Sequence, residues 1–355
     1  MRRGLIARSL AELPDSVFAA RVARTQAAMG EAGLDALVLY SNNTRPAAAS
    51  WICGFVPYWS EGAMVLPKSG EPYLVVALTK RVGTWIAATS KVSTVISTPR
   101  FGQEAGRMIA AANGRMVGVA DLDGLPAGIL DELRGAGVTV SDATQLFARL
   151  RGVADPAETA LAARAAAIAH SALACLESGH DASGEIIAAV EGRARALAAE
   201  ECYVAIAPDL ARSRNFLRLE GTAPIGRSYA VRATVAYKGS WVRMVRTMFR
   251  DDGRAKIAHD AAARFSDAVA HLPGAQGFAG LKSWLVEGCR VAQPLEPLMG
   301  ARIAEPRPPA PGALVSVQAL IEQDGEPVLL GGPALLGAAG EPAALLVPPV
   351  FTEGD

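Results

Sequence analysis

Two arginines stand in the most strand-like stretch of the chain, where a core strand ordinarily carries no charge. They are Arg232 and Arg243, within residues 229–249. Lys238-Gly239-Ser240 between them has the composition of a turn. On either side we predict two strands of a hairpin. In the first strand every second residue lies on one face, with the period of two that is typical of a β-strand; these residues are Tyr229, Val231, Ala233, Val235 and Tyr237.

The two positive charges of this hairpin predict that solvent or a negatively charged group lies beside them. With a turn centred near residues 237 and 238, Arg232 and Arg243 lie roughly opposite each other on one face. Two like charges directly across a ladder repel. The pair is therefore stable only if it is solvated, or if an anion or a carboxylate lies between the two guanidinium groups. The alternative to a binding site is a solvated hairpin face.

Further arginines precede the hairpin, at Arg212, Arg214 and Arg218. Guanidinium groups that line a concave surface can capture a carboxylate or a phosphate with two parallel hydrogen bonds. We therefore include Arg214 and Arg218 with Arg232 and Arg243 as candidate ligand-binding residues. Residues 212–218 could equally be a solvated loop.

Nucleophile motifs are sparse in this sequence. The weak candidate is Cys289, whose thiolate would be stabilised if it lay beside the two arginines. No histidine is obviously paired with it, and a single cysteine is more often a small core residue. The four cysteines are widely spaced with no CxxC pattern, as is typical of reduced thiols in a cytoplasmic protein. No P-loop, GxSxG elbow or dinucleotide fingerprint occurs.

Composition limits the classes of function. The chain has 355 residues, of which 51% are hydrophobic and 20% charged, with a formal net charge of zero. This length is typical of two domains. The balanced charge argues against nucleic-acid and membrane-surface partners. Because we see neither a signal peptide nor a long apolar segment, we expect a cytoplasmic protein.

The elements that must position these residues divide near residue 150. Residues 1–150 alternate between strand-like and helix-like segments, which predicts an α/β domain with a partly parallel sheet. Asp155-Pro156 marks a break, with Asp155 and Glu158 suited to cap the next helix. Residues 151–355 predict an α+β domain in which helix pairs cover an antiparallel sheet. There we expect helices over 254–272 and 281–289, and a strand over 313–321.

The hairpin resembles the central hairpin of the pita-bread family, which includes creatinase, aminopeptidase P and Xaa-Pro dipeptidase (prolidase). The family pattern is roughly D-x-G-x-x-x-x-G-x-x-x-D-x-x-R-T, and Arg246-Thr247 match its R-T. The first half of the chain, with GLDALVLYS followed by WICGFVPYWSEGAMVLPKSGEPYLVV, resembles the amino-terminal domain of the creatinase and prolidase branch. The resemblance implies a creatinase-like domain over 1–150, a pita-bread domain over 151–355, and a homodimer.

The resemblance also implies where metal ligands should stand, and here the sequence departs from the family. The two aspartates fall on Arg232 and Arg243, and the histidine falls near Gly288-Cys289-Arg290. The first glutamate falls on Gln318, and the last falls near Gly331-Gly332-Pro333. Because a guanidinium has no lone pair to donate to a metal, we expect no metal and no cofactor. The histidine that creatinase uses instead is also missing, from residues 215–218.

Three hypotheses follow. The first is a metal-free, non-peptidase member of the family, a pseudoenzyme that binds a small anionic molecule or a short peptide. Its arginine-lined pocket would include Gln318, and Arg243→Ala should weaken binding by roughly 1.5–3 kcal/mol. The second is a metal-independent hydrolase of C–N bonds in a small anionic substrate. The third is an ordinary Xaa-Pro metallopeptidase whose ligands lie elsewhere in the chain.

Overall fold

The structure, a computed structural model, describes residues 8–57, 59–176, 182–218, 221–251, 254–274, 276–338 and 340–350. The chain divides into two compact units. The amino-terminal unit runs to Gly152 and also includes Cys289–Pro294. The carboxy-terminal unit comprises Val153–Gly288 and the chain from Leu295 onward. None of the helices in the described ranges has the length and apolar character that crossing a bilayer requires.

The amino-terminal unit is an α/β domain. Its strands are β1 (Ala36–Asn42), β2 (Glu61–Pro67), β3 (Tyr73–Val76), β4 (Thr94–Ser97), β5 (Met116–Ala120) and β6 (Thr139–Asp142). Its helices are α1 (Asp15–Glu31), α2 (Ala47–Cys53), α3 (Gly83–Thr89), α4 (Phe101–Ala111), α5 (Ala127–Gly135) and α6 (Thr144–Arg151). The sheet order is β4-β3-β2-β1-β5-β6. β1, β5 and β6 pair in parallel, as do β3 and β4, whereas β2 is antiparallel to both of its neighbours.

The central strand of this sheet is buried on both faces. Leu37 and Leu39 belong to one apolar core, and Ala36, Val38 and Tyr40 belong to another on the opposite face. A strand covered on both sides reads as a continuous apolar run, which is why ALVLY predicts it from sequence. The partly parallel α/β domain expected for this half is confirmed.

The carboxy-terminal unit is built on one large sheet. Its strands are β7 (Glu201–Ala207), β8 (Ser228–Tyr237), β9 (Ser240–Phe249), β10 (Ser283–Gly288), β11 (Glu296–Gly300), β12 (Leu314–Gln323), β13 (Glu326–Leu335) and β14 (Ala344–Leu345). The order is β11-β10-β12-β13-β9-β8-β7, and β14 pairs with β13. Its helices are α7 (Pro156–Ala174), α8 (Ser183–Ala196) and α9 (Ala255–Ala270). This helix-covered antiparallel sheet confirms the expected α+β class.

Capping and packing explain how the helices of this unit are placed. Asp155 accepts a hydrogen bond from the Glu158 backbone, and the Glu158 side chain accepts one from the Asp155 backbone. This capping box begins α7 as the sequence predicts. Helix α9 contributes Phe265 and Val269 to an apolar core on one face of the sheet. The β12 residues in that core are Val315, Val317, Ala319 and Ile321, which leaves Gln318 on the opposite face because alternate strand residues point to opposite sides.

The hairpin forms as expected, but its register differs from the expected one by two residues. Tyr237 pairs with Ser240, and the two-residue turn is Lys238-Gly239, with φ of 45° and 79°. Positive φ at both central positions is the signature of the tight hairpin turn whose twist matches that of the strands. Arg232 therefore pairs with Val245, and Arg243 pairs with Thr234. The two arginines share a face but are diagonal rather than opposite.

Two other expectations in this unit need correction. The segment expected as a helix over 281–289 is the strand β10. Trp284, Leu285 and Val286 favour a strand, and a run this short cannot be assigned by periodicity alone. The expected strand over 313–321 is β12, but β13 was not predicted, because its centre contains Gly331-Gly332-Pro333. The signal that could have found it is Asp324-Gly325, a hairpin dipeptide with φ of 51° and 79°.

Candidate functional site

The candidate residues of the carboxy-terminal unit lie along a row of paired strands. Arg232 pairs with Val245, Val245 with Gly331, and Gly331 with Gln318. Residues paired directly across a sheet point to the same face. We call the face that carries Arg232, Arg243 and Gln318 the site face; it is the face opposite the α9 core. The structure therefore brings together Arg232, Arg243, Gln318 and Gly331, which are among the sequence positions where the family resemblance implied metal ligands.

Arg243 is held by side chains of three neighbouring strands. Its Nη1 donates to both carboxylate oxygens of Glu287, at 2.5 and 2.7 Å. Its Nε donates to Thr234 Oγ1 at 3.0 Å, and its backbone N–H donates to Ser316 Oγ at 3.0 Å. Gln318 Nε2 donates to Glu287 at 2.7 Å. This guanidinium is thus committed to a carboxylate within the chain.

Glu287 is the residue of this site that sequence reasoning missed. It is buried, with 4% of its surface exposed, and it lies in β10 opposite Ser316. A carboxylate in that environment needs a charged or hydrogen-bonding partner, and Arg243 and Gln318 supply it. The available signal was a lone acid in the apolar run SWLVEG, obscured because that run was expected to be helical.

Arg232 has a different environment. It is half-buried, and its guanidinium carbon lies 4.7 Å from the centroid of the Phe216 ring. Burial lowers the pKa of Arg232 below its usual value, and the charges of Arg243 and Arg218 act in the same direction, while Glu287 opposes them. Among the described residues, nothing accepts a hydrogen bond from this guanidinium. It is therefore a partly desolvated cation whose N–H donors bond to no described acceptor.

Arg218 and Arg214, both exposed, differ in their contacts. The guanidinium carbon of Arg218 lies 5.4 Å from the centroid of Tyr203, whose ring stacks on Trp241 at 5.9 Å and 11°. Tyr203 pairs with Thr234, which shares a face with Arg232, so Arg218 lies over the site face. In the described part of the chain, Arg214 makes no side-chain hydrogen bond or ion pair. The geometry therefore associates Arg218, but not Arg214, with the site face.

Gly331, in the segment where the resemblance implied the last family acid, lies too close to its neighbours to carry a side chain. A Cβ placed on Gly331 would lie 2.8 Å from the carbonyl oxygen of Val317, 3.1 Å from Gln318 Cγ and 3.1 Å from Val245 Cγ2. Contacts this short force the backbone to move. The site face therefore has no room for a side chain at this point of the row.

Arg246 and Thr247, the residues that match the family's R-T, join β9 to β13. The buried Arg246 guanidinium donates to the carbonyls of Val245 (2.9 Å), Gly331 (2.7 Å) and Pro348. The Thr247 hydroxyl donates to Leu329 O at 2.9 Å and accepts from Leu329 N at 2.8 Å. In the part of the chain that the structure describes, strands β9 and β13 are paired only at Val245 and Gly331. The hydrogen bonds of the Arg246 and Thr247 side chains therefore add to the few backbone hydrogen bonds between these two strands.

Cys289 is not on the strands that carry the site face. It belongs to the Cys289–Pro294 segment of the amino-terminal unit, where Val291 joins the apolar core and the Ala292 carbonyl accepts from Ala47 N at 3.0 Å. Its side chain is partly exposed, and none of the four cysteines, all of which the structure describes, forms a disulfide.

The side chains of the site face do not fit the coordination of a pair of divalent metals. Metals of that kind bind carboxylate oxygens and imidazole nitrogens, whereas this row presents two guanidinium groups, an amide and one carboxylate that is already paired. Within the described part of the chain, no three His, Cys, Asp or Glu side chains form a group that could hold a metal ion. No step of chemistry is therefore assigned to a metal here.

Comparisons with known proteins agree with this architecture. Residues 21–153 match the family model described as Creatinase/Prolidase N-terminal domain. An X-Pro aminopeptidase from Thermotoga maritima has a TM-score of 0.71 and 14% identity, and the match covers 93% of this chain and 98% of that one. A prolidase from Pyrococcus horikoshii has a TM-score of 0.68 and 15% identity, covering 92% and 97%. A search of curated protein sequences gave no match.

The class that follows is defined by domain and by fold. Residues 21–153 match the Creatinase/Prolidase N-terminal domain, and the chain shares its fold with X-Pro aminopeptidases and prolidases. The resemblance to the pita-bread family is confirmed at this level. An Xaa-Pro dipeptidase from Bacillus anthracis shares the same fold at a TM-score of 0.69, with 15% identity over 93% of this chain and 97% of that one.

Proposed function

We propose that this protein is a metal-free, non-peptidase relative of the Xaa-Pro peptidases that binds a small anionic or peptide-like ligand on the site face. The observation that carries the proposal is the state of Arg232. Its guanidinium is half-buried over Phe216, and no described residue accepts a hydrogen bond from it. A partly desolvated guanidinium whose N–H donors are not used within the chain is suited to bind carboxylate or phosphate groups.

The internal ion pair supports the same proposal. Glu287 neutralises Arg243, so the ligand need only satisfy the guanidinium groups that remain. Gln318 is also engaged with Glu287. Arg243 and Gln318 would therefore shape the floor of the site rather than bind the ligand directly. This changes the expectation from sequence, in which Arg243 itself captured the anion.

A binding screen tests the proposal. Thermal-shift measurements with small carboxylates, phosphates and short peptides should find anions that raise the melting temperature of the wild-type protein. The shift should be lost in Arg232→Gln and retained in Arg212→Gln, which removes an exposed arginine paired with Asp209. A ligand whose effect is the same in Arg232→Gln would show that the site lies elsewhere.

Two further measurements address the other hypotheses. Metal analysis of the purified protein should find no stoichiometric Mn, Co or Zn; a stoichiometric metal would support a metallopeptidase. Xaa-Pro dipeptides, guanidino acids and cyclic amidines should not be turned over. Turnover that persists in chelator would instead support a metal-independent hydrolase. The homodimer and the cytoplasmic location are retained as proposals, the first tested by light scattering.

A further inference from the structure

The two available guanidinium groups of the site face are each held against an aromatic ring. Arg232 lies over Phe216 at 4.7 Å, and Arg218 lies over Tyr203 at 5.4 Å. Tyr203 is itself backed by Trp241. Both distances are within the range at which a cation is attracted to a ring face. A guanidinium that lies on a ring keeps its N–H groups, which lie in its own plane, for another partner.

Arg243 shows the contrasting state on the same face. Its N–H groups are used by Thr234 and by the Glu287 carboxylate. Among the residues the structure describes, none accepts a hydrogen bond from the guanidinium group of Arg232 or Arg218. The rings therefore orient two cations without neutralising them, while the third cation is neutralised from within the chain.

The charge left on the site face selects the kind of anion. Leu217 bridges Ile206, which places Arg218 beside Ala205, and Ala205 pairs with Arg232, so Arg218 and Arg232 lie in the same row of the sheet. The charges of Arg218, Arg243 and Glu287 all act on the pKa of Arg232. With Glu287 assigned to Arg243, the charges of Arg232 and Arg218 remain, a charge of two among the described residues. The like charges of Arg218 and Arg243 both disfavour the charged form of Arg232. A ligand with two negative charges relieves that repulsion, whereas a single carboxylate leaves one positive charge uncompensated.

We propose that Arg232 and Arg218 form a clamp for a doubly charged oxyanion, such as the phosphate group of a phosphate monoester. This inference rests on the proposed anion-binding function and narrows it to one class of ligand. The clamp distinguishes its ligand by charge: a compact dianion occupies both guanidinium groups at once, and a monocarboxylate such as a peptide carboxy terminus occupies one.

Isothermal titration with simple anions tests the clamp. At pH 7.5 and constant ionic strength, sulfate and phenyl phosphate should bind at least tenfold more tightly than acetate. Arg232→Gln and Arg218→Gln should each weaken the two dianions by tenfold or more, while Arg212→Gln should change them by less than about twofold. Near-ultraviolet circular dichroism checks that each variant keeps its tertiary structure, and Arg232→Lys, which keeps the charge, should recover part of the affinity.

A pH series separates a clamp for two charges from a site that merely attracts anions. A phosphate monoester loses its second charge near pH 6, and about one molecule in ten is still a dianion at pH 5. Phenyl phosphate affinity should therefore fall several-fold, up to about tenfold, between pH 7.5 and pH 5. Sulfate, which stays doubly charged, should change by less than threefold. If acetate binds as tightly as sulfate, and binding still depends on Arg232, the clamp is wrong but the anion-binding function stands. If no anion binds in an Arg232-dependent way, both proposals are wrong.

Discussion

Arg243 and Glu287 form an ion pair across the site face, with both carboxylate oxygens within 2.7 Å of one guanidinium nitrogen. The two residues are 44 positions apart in the chain and lie on strands β9 and β10. The pair occupies the place where the family resemblance implied an aspartate bound to metal. At this place the chain carries a positive side chain whose counter-ion, the buried Glu287, comes from the chain itself.

This pairing predicts a specific pattern of stability. Arg243→Met leaves the Glu287 carboxylate buried without its counter-ion, and we expect a loss of about 3 kcal/mol in the free energy of unfolding. The double variant Arg243→Met/Glu287→Gln removes the orphaned charge and should be more stable than Arg243→Met alone. Urea unfolding of the wild type, both single variants and the double variant measures the coupling. Additive single effects would mean that the pair contributes no interaction energy.

The R-T pair predicts a second effect on stability. Thr247→Val keeps the shape of the side chain but leaves the N–H and C=O of Leu329 without the hydroxyl that now bonds both. We expect a loss of about 1–3 kcal/mol in the free energy of unfolding. Thr139→Val, on an exposed strand position, should change it by less than about 0.5 kcal/mol. Equal effects of the two substitutions in denaturant titrations would show that the Thr247 hydroxyl does not stabilise the fold.

The amino-terminal unit predicts an acid-dependent contribution from Asp35. Its carboxylate accepts hydrogen bonds from the backbone N–H groups of Met116 (3.0 Å) and Arg115 (2.8 Å), and these bonds lower the pKa of Asp35. A depressed folded-state pKa stabilises the protein above the unfolded-state pKa of about 3.9, and that stabilisation is lost as the pH falls through the folded-state value. The stability advantage of the wild type over Asp35→Asn should therefore shrink below about pH 4.

The control for Asp35 is an exposed acid without such bonds. Asp131 is exposed, and Asp131→Asn is the matched control for the removal of one surface carboxylate. Chemical unfolding at a series of pH values between 7 and 3 compares the three proteins. A constant difference between the wild type and Asp35→Asn would show that the backbone hydrogen bonds do not favour the charged carboxylate.

The fold was largely predictable because its signals are local. The buried strand β1, the capping box of Asp155 and Glu158 and the hairpin β8–β9 each depend on residues close in sequence. The register of the hairpin was less accessible. Placing the turn at Lys238-Gly239 requires positive φ at a lysine, which is uncommon for a residue other than glycine, asparagine or aspartate. One position of error in the centre of the turn moves the strand register by two.

The sequence predicted the location of the site but not the contacts between its side chains. The row of Arg232, Arg243 and Gln318 follows from aligning this chain with the family pattern, and the structure brings these positions onto one face. The partner Glu287 did not follow, because its strand was expected to be a helix and its contact with Arg243 spans distant parts of the chain. The aromatic supports Phe216 and Tyr203 come from a loop and an edge strand, whose approach to the arginines no local pattern encodes.

Gly331 yields the prediction that bears most directly on how this site differs from its relatives. A methyl group at Gly331 meets the Val317 carbonyl oxygen at 2.8 Å, whereas one at the neighbouring Gly332 meets only Leu345 Cδ2 at an ordinary 3.5 Å. Gly331→Ala should therefore lower the free energy of unfolding by about 1–3 kcal/mol, and Gly332→Ala should be close to neutral. Urea unfolding of the two variants checks the difference.

The same contact limits what a larger residue can do at this position. A glutamate at Gly331 needs the space that alanine already lacks, so Gly331→Glu should be at least as destabilised as Gly331→Ala, even with Arg232 and Arg243 unchanged. If Gly331→Glu folds with wild-type stability, β13 must be able to move away from Val317, and the close contact does not exclude an acid at this position. If it does not, the close packing of β13 against β12 and β9 excludes the family's last carboxylate, independently of the two arginines.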